Sequence, residues 1–172
     1  MLNKISKGSN LLKEIIYKYK GKSKIYLSID FLNFLMSLNI RRKEEIKDTL
    51  LEIENTLTLD LNLDFDLILI PAFSFSFPDK KIFNTISTPP ELGALSNYFF
   101  KKKFHNRSIH PFYSFYVFGK KAKDFLQTEY FDSVGEKSIF KYLKEEKFFS
   151  INIGHHYCKS IPNIHDIENK LK

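Results

Sequence analysis

An α/β layered domain is the fold class that this sequence predicts. Three observations carry it. Amphipathic segments with helical spacing alternate with short β-rich runs, which is the sequence form of a layered α/β unit. One run, Leu67-Ile-Leu-Ile70, is continuously apolar, as a strand covered on both faces must be. The 172 residues suffice for one core and are too few for two comfortable ones.

Taken in order, residues 10–21 place apolar side chains at 11, 12, 15, 16 and 19, one face of a helix, with Asn10 as its N-cap and Gly21 as its stop. Residues 24–30 are short and β-rich and form the first strand. Residues 31–39 are apolar and open a turn of helix. In residues 42–57, Ile46, Leu50, Ile53 and Leu57 make a single stripe with the charges opposite, so a second amphipathic helix precedes the apolar strand that Pro71 ends.

Residues 71–93 form a long irregular stretch in which Phe73, Phe75 and Phe77 alternate with Ser74 and Ser76, followed by Pro78, Pro89 and Pro90. Long connections of this kind tend to carry function. If extended, the two serines share one face and the phenylalanines the other; the plainer alternative is a buried edge strand with satisfied hydroxyls. A helix over 91–102 opens after the proline pair and ends in Lys101-Lys102-Lys103, cations that suit a helix C-terminus. A strand at 113–118, a helix at 120–127, a turn at Gly135, a helix burying Ile139, Phe140 and Leu143, and a strand at 147–153 complete the alternation. Gly154 ends the last strand, and His155, His156, Cys158, His165 and Glu168 follow.

Composition bounds the function. The chain is 43% hydrophobic and carries 18 Phe and 9 Tyr without Trp, so it is globular with an aromatic interior. Its net charge of +7 invites a nucleic-acid reading, but only Arg41, Arg42 and Arg107 of the 27 basic residues are arginines. Base-reading surfaces lean on Arg, so no nucleic-acid partner is expected. Cys158 is the only cysteine, which leaves no internal disulfide and suits a reducing cytoplasm. No apolar run is long enough to span a bilayer, and the first residues lack the apolar region of a secretion signal, so the expected location is cytoplasmic with no membrane partner.

The densest chemistry lies in Arg107-Ser-Ile-His-Pro-Phe-Tyr-Ser114. A guanidinium fork holds phosphate or carboxylate, a histidine trades a proton near neutral pH, and a following proline keeps that histidine extended. The same octapeptide also reads as an ordinary turn with a structural histidine. Near the C-terminus, His165 and Glu168 are three apart and would share a helix face, the arrangement of a base oriented by an acid. His155, His156 and Cys158 do not make a metal site, because adjacent histidines at a strand end point to opposite sides, and no metal is expected. Ser114 has no Gly-x-Ser-x-Gly elbow around it, which argues against a hydrolase.

The order of these blocks is more specific than any one of them. Ile70-Pro-Ala-Phe-Ser-Phe-Ser-Phe77, Thr88-Pro-Pro-Glu-Leu-Gly-Ala-Leu95, Arg107 to Ser114, Gly135-Glu-Lys-Ser-Ile-Phe140, a strand ending in Ile153-Gly154, and His165-Asp-Ile-Glu168 occur in succession. This series resembles the aminoglycoside 3-N-acetyltransferase family, weakly over residues 1–65 and strongly over 66–168. The resemblance implies a three-layer α/β/α sandwich with a central mixed sheet, distinct from the common GNAT-type acetyltransferase fold. It implies acetyl transfer from acetyl-coenzyme A, a cosubstrate, to an amino group of an amino sugar, either an aminoglycoside antibiotic or a sugar precursor of a surface glycan.

By the same likeness His165 matches the catalytic histidine, and Glu168 orients it or contacts the amine. Arg107, Ser108, Ser114, Ser74 and Ser76 help to line the coenzyme A channel, and His110 braces that wall. Two departures accompany the resemblance. The family carries a Gly-rich loop where residues 37–45 have no glycine, and a histidine where Ser28 stands. The family also continues beyond the His-x-x-Glu motif. The expectation is therefore a single domain over residues 1–172 that lacks the family's C-terminal portion. A separate chain supplying that portion, or a homo-oligomer, is the expected partner, and the alternative function is a catalytically impaired remnant or subunit of a split acetyltransferase that binds a partner.

Overall fold

The computed structural model describes residues 2–128 and 132–154. Four strands, β1 (Lys24–Ile29), β2 (Leu67–Pro71), β3 (Phe115–Phe118) and β4 (Phe149–Ile153), form one open sheet in the order β3-β2-β1-β4. β1 runs parallel to both β2 and β4, and β3 runs antiparallel to β2, so the sheet is mixed. The helices are α1 (Leu2–Tyr17), α2 (Phe31–Ser37), α3 (Lys43–Asn55), α4 (Phe77–Lys80), α5 (Ala94–Lys101), α6 (Ala122–Leu126) and α7 (Ile139–Glu145).

The period of two in the strands sorts their side chains between two apolar clusters. Ile25, Leu27 and Ile29 of β1, Ile68 and Ile70 of β2, and Tyr116 and Phe118 of β3 pack with residues from α1, α2, α3 and α5. The intervening Tyr26, Leu67, Leu69, Phe115 and Val117 pack with Ala122 and Phe125 of α6 and Ile139, Phe140 and Leu143 of α7. β2, apolar at every position, contributes to both clusters, which is why its sequence shows no alternation. The first cluster is stiffened by rings: Phe99 lies 5.3 Å from Tyr116 and 5.5 Å from Phe118, and Phe104 lies 5.2 Å from Phe118.

Several predicted boundaries move, among them the end of the first helix, at Tyr17, and the starts of the strands expected from 113 and 147, at Phe115 and Phe149. The first helix begins at Leu2, so Asn10 is an interior, exposed position and not a cap. Gly8 is tolerated inside it because a Cβ there would stand 3.0 Å from Thr49 Cγ2, and its absence lets α1 close on α3. The predicted helix over 42–57 ends at Asn55 and continues as a π turn, Thr56–Asp60, and a 3-10 turn, Leu61–Leu63, which carry the apolar stripe on to the buried Leu61. The helix expected from Glu91 starts at Ala94, after Gly93 at φ +74°, because the Glu91 carboxylate bonds elsewhere. No helix among the described residues is long and apolar enough to cross a membrane.

Candidate functional site

The C-terminal ends of the parallel strands β1, β2 and β4 lie along one edge of the sheet, and antiparallel β3 begins there, opposite Pro71. The octapeptide 107–114 enters β3 from it, and the chain leaves β4 at it. Ligands of open α/β sheets bind outside the carboxyl ends of the strands for this topological reason.

The octapeptide is folded back as a hairpin. Arg107 bridges Tyr116, Ser108 N–H donates to the Phe115 carbonyl at 2.9 Å, and Val117 N–H donates to the Asn106 carbonyl at 2.8 Å, so residues 106–108 cover the outer edge of β3. On the other side the β2–β3 register runs on past the strand ends, with Ala72 N–H donating to the Ser114 carbonyl and Ser74 N–H to the Phe112 carbonyl. The Ser108 hydroxyl accepts from Phe115 N–H at 2.9 Å and closes the base of the hairpin.

Arg107 ties this hairpin to the long loop. Its Nε donates to Ser114 Oγ at 3.0 Å, and Nη2 donates to the Ala72 carbonyl at 2.8 Å and to Ser74 Oγ at 2.9 Å. Nη1 donates to the carbonyls of Thr88 and Thr85. Five N–H donors thus meet five acceptors, the full capacity of a guanidinium. None of the acceptors is a carboxylate; the charge is held by dipoles and lies 5.2 Å from the Phe83 ring and 6.0 Å from the Tyr116 ring. The side chain is buried, and burial lowers its pKa, with Tyr116 acting weakly in the other direction.

The two buried hydroxyls close the knot. Ser114 Oγ donates to the Ala72 carbonyl at 2.7 Å, and Ser74 Oγ to the Pro89 carbonyl at 3.0 Å. Glu91 adds a second fastening, its carboxylate accepting from Phe75 N–H and Ser76 N–H at 2.9 Å each. The Ser74 hydroxyl is buried and satisfied, as in the plainer alternative, while the phenylalanines do not share one environment: Phe73 packs against the second cluster and Phe75 is 45% exposed. Ser76 stays partly exposed on the surface of the loop.

His110 is buried under the hairpin with its ring 5.5 Å from that of Tyr113. Nδ1 accepts from both Phe112 N–H and Tyr113 N–H, at 3.1 and 2.9 Å, which assigns the proton of the neutral ring to Nε2. Among the described residues Nε2 has no partner of full hydrogen-bond geometry. Burial holds the His110 pKa below its usual value, opposed by the Asp132 backbone.

The structure thus gathers Arg107, Ser108, Ser114, Ser74 and His110 at one sheet edge, with Ser76 on the adjoining surface. His165, Glu168, His155, His156 and Cys158 lie outside the described residues. Ser28 lies within β1, and Arg41 and Arg42 are exposed on the connection between α2 and α3. At the end of β1, Asp30 caps α2, and Asn33 Nδ2 donates to Asp30 Oδ2 and to the Gly154 carbonyl, locking the exit of β4 to the entry of α2. Sequence reasoning missed Thr85, Thr88 and Glu91. Of these only Glu91 carried a signal, a carboxylate directly after a proline pair, and backbone carbonyls have no sequence signal at all.

At the opposite edge a cleft of about 230 Å³ is lined by Lys24, Leu67, Lys121, Asp124, Tyr142 and Glu146 among others, and its lysines are already paired with Glu146 and Asp66. Among the described residues no group of three His, Cys, Asp or Glu could hold a metal ion. No curated protein matches the chain. The family described as aminoglycoside 3-N-acetyltransferase matches residues 73–172, a span that opens where β2 passes into the long loop and takes in the Arg107 knot, β3, β4 and the His-x-x-Glu motif. With more than half of its length matched and the matched part holding every residue of the knot except Ala72, the chain belongs to the aminoglycoside 3-N-acetyltransferase family.

Proposed function

We propose that this protein is an acetyl-coenzyme A-dependent N-acetyltransferase acting on an amino group of an amino sugar, built as a three-layer α/β/α sandwich rather than on the GNAT-type fold. One observation carries the reading. Within the family-matched span, the Arg107 knot sits at the carboxyl edge of the sheet, the edge at which β4 also ends.

The acetyl thioester, when bound, supplies an acyl carbon open to attack by an amine. The residues at the edge fit such a ligand in part. Phe75, Ile86 and Ile109 of the long loop and the hairpin expose apolar surface, and Ser76 is partly exposed. Arg107, Ser74 and Ser114 spend their hydrogen bonds inside the protein, so their role in this proposal is to hold the channel wall in shape, with Ser108 and His110 bracing its base. An ammonium is no nucleophile until a base removes a proton; His165 takes that proton, and Glu168 orients the imidazole or receives the amine's charge.

Titration calorimetry with acetyl-coenzyme A tests the binding half of the proposal. Heat of binding and a rise in Tm are expected; no heat and no thermal shift up to ~1 mM ligand sinks it. A thiol-release assay over a panel of aminoglycosides and simple amino sugars tests the chemistry, with His165→Ala expected to lose on the order of a hundredfold or more in kcat. Unchanged turnover in that variant removes His165 from the base role. Binding without turnover on any acceptor, restored by adding a second chain, would instead favour a subunit of a split enzyme.

A further inference from the structure

The two edges of the sheet are treated differently. At the β3 edge the outward N–H and carbonyl of Phe115 and the N–H of Val117 are taken up by residues 106–108. At the β4 edge the corresponding groups are not. Ile153 faces β1, since its carbonyl accepts from Asp30 N–H at 2.8 Å. In a parallel ladder the N–H and C=O of one residue point to the same side and alternate along the strand. Ser150 and Asn152 therefore aim both of their backbone groups away from the sheet, where no partner meets them among the described residues.

Natural edges are commonly blunted by charge, proline, a bulge or a covering segment. Phe149-Ser-Ile-Asn-Ile153 has none of the first two, and its register with β1 is unbroken over five pairs. Gly154, at φ +75°, passes so close to β1 that a Cβ would stand 2.7 Å from the Asp30 carbonyl oxygen, and its own carbonyl accepts from Asn33 of α2.

We propose that β4 is an association edge whose partner is β4 of a second copy of this chain, paired antiparallel about Ile151 to make one continuous eight-stranded sheet. The strand is self-complementary in that register. Ser150 faces Asn152 of the second copy twice over, and each such pair exchanges two N–H to carbonyl bonds, so every outward backbone group of Ser150 and Asn152 is satisfied. Side chains match as well. Ser150 and Asn152, already joined by an Asn152 Nδ2 to Ser150 Oγ bond of 3.0 Å, meet their counterparts on one face, and Phe149 meets Ile153 on the apolar face. The proposal is independent of the catalytic reading.

Sedimentation equilibrium on the full chain tests it, with two double variants, Ser150→Lys/Asn152→Lys and Ser150→Glu/Asn152→Glu. The antiparallel register sets like charges opposite each other in each variant and opposite charges together in an equimolar mixture. The expected result is a wild-type dimer at micromolar concentration, two monomeric variants with unchanged circular dichroism, and a heterodimer on mixing. A wild-type monomer up to ~100 µM overturns the proposal. So does a dimer that persists in both variants, or a mixture that stays monomeric while both variants are folded.

Discussion

The two edges of the sheet solve the same problem in opposite ways. The β3 edge is closed from within: a hairpin lies along it, and one guanidinium binds that hairpin to two other segments through Ala72, Ser74, Thr85, Thr88 and Ser114. The β4 edge ends in a strand held on its inner side by five pairs with β1 and by the buried Ile151, with no covering segment on its outer side among the described residues. A closed edge concentrates its stability in a few polar bonds and is fragile to their loss. The outward groups of an open edge hold little of the fold's stability and are free to be altered or paired.

The largest break in this contrast is Arg107→Leu. It leaves buried carbonyls and hydroxyls without donors, and the expected loss is about 3–4 kcal/mol in urea unfolding, with faster amide exchange across residues 72–93. A loss under ~1 kcal/mol would mean that the loop is held by Glu91 and packing instead. Ser114→Ala is next, because it strands Arg107 Nε inside the protein; about 1–3 kcal/mol is expected.

Gly154→Ala probes the tight crossing at the end of the open edge. It forces a side chain into a left-handed position against the Asp30 carbonyl, and a cost of about 1–3 kcal/mol should appear with little change in exchange at residues 72–93. The pH dependence is smaller. His110 has a folded pKa below its ordinary 6.5, so the unfolded chain takes up the proton first as pH falls. Its stabilising effect is therefore present above about pH 6.5 and is lost as pH drops toward the lowered folded value, with a slope of at most ~1.4 kcal/mol per unit. His110→Asn, which keeps an acceptor for Phe112 and Tyr113 N–H, should flatten that part of the Tm-against-pH curve. The smallest effect is on the folding of the lysine variant at Ser150 and Asn152, within ~0.5 kcal/mol when measured on the monomer, since Asn152 is exposed and Ser150 partly so.

Much of the fold was legible in the chain. The apolar run Leu67–Ile70, the stripe through Ile53 and Leu57, and the block Ser138-Ile-Phe140 each fold as their pattern implies, with Ser138 capping α7 as a hydroxyl at that position should. These signals are local, because helix and strand periods and caps depend on residues a few positions apart. Misreadings came where a distant contact outweighed a local rule: Gly8 sits inside a helix because Thr49 packs against it, and Glu91 leaves its helix to hold Phe75 and Ser76.

For the site the division is sharper. The sequence by itself determined the family and singled out Arg107, His110, Ser74 and Ser114, since ordered blocks of unusual composition survive in a linear text. Only the tertiary structure decided what those groups touch. It put Arg107 on carbonyls up to 35 residues away, turned Ser74 inward onto that guanidinium, and fixed the His110 tautomer through two backbone N–H groups. The physical reason is that main-chain carbonyls and N–H groups are the same at every residue, so which of them a side chain finds is set by how the chain returns on itself and not by the letters on either side.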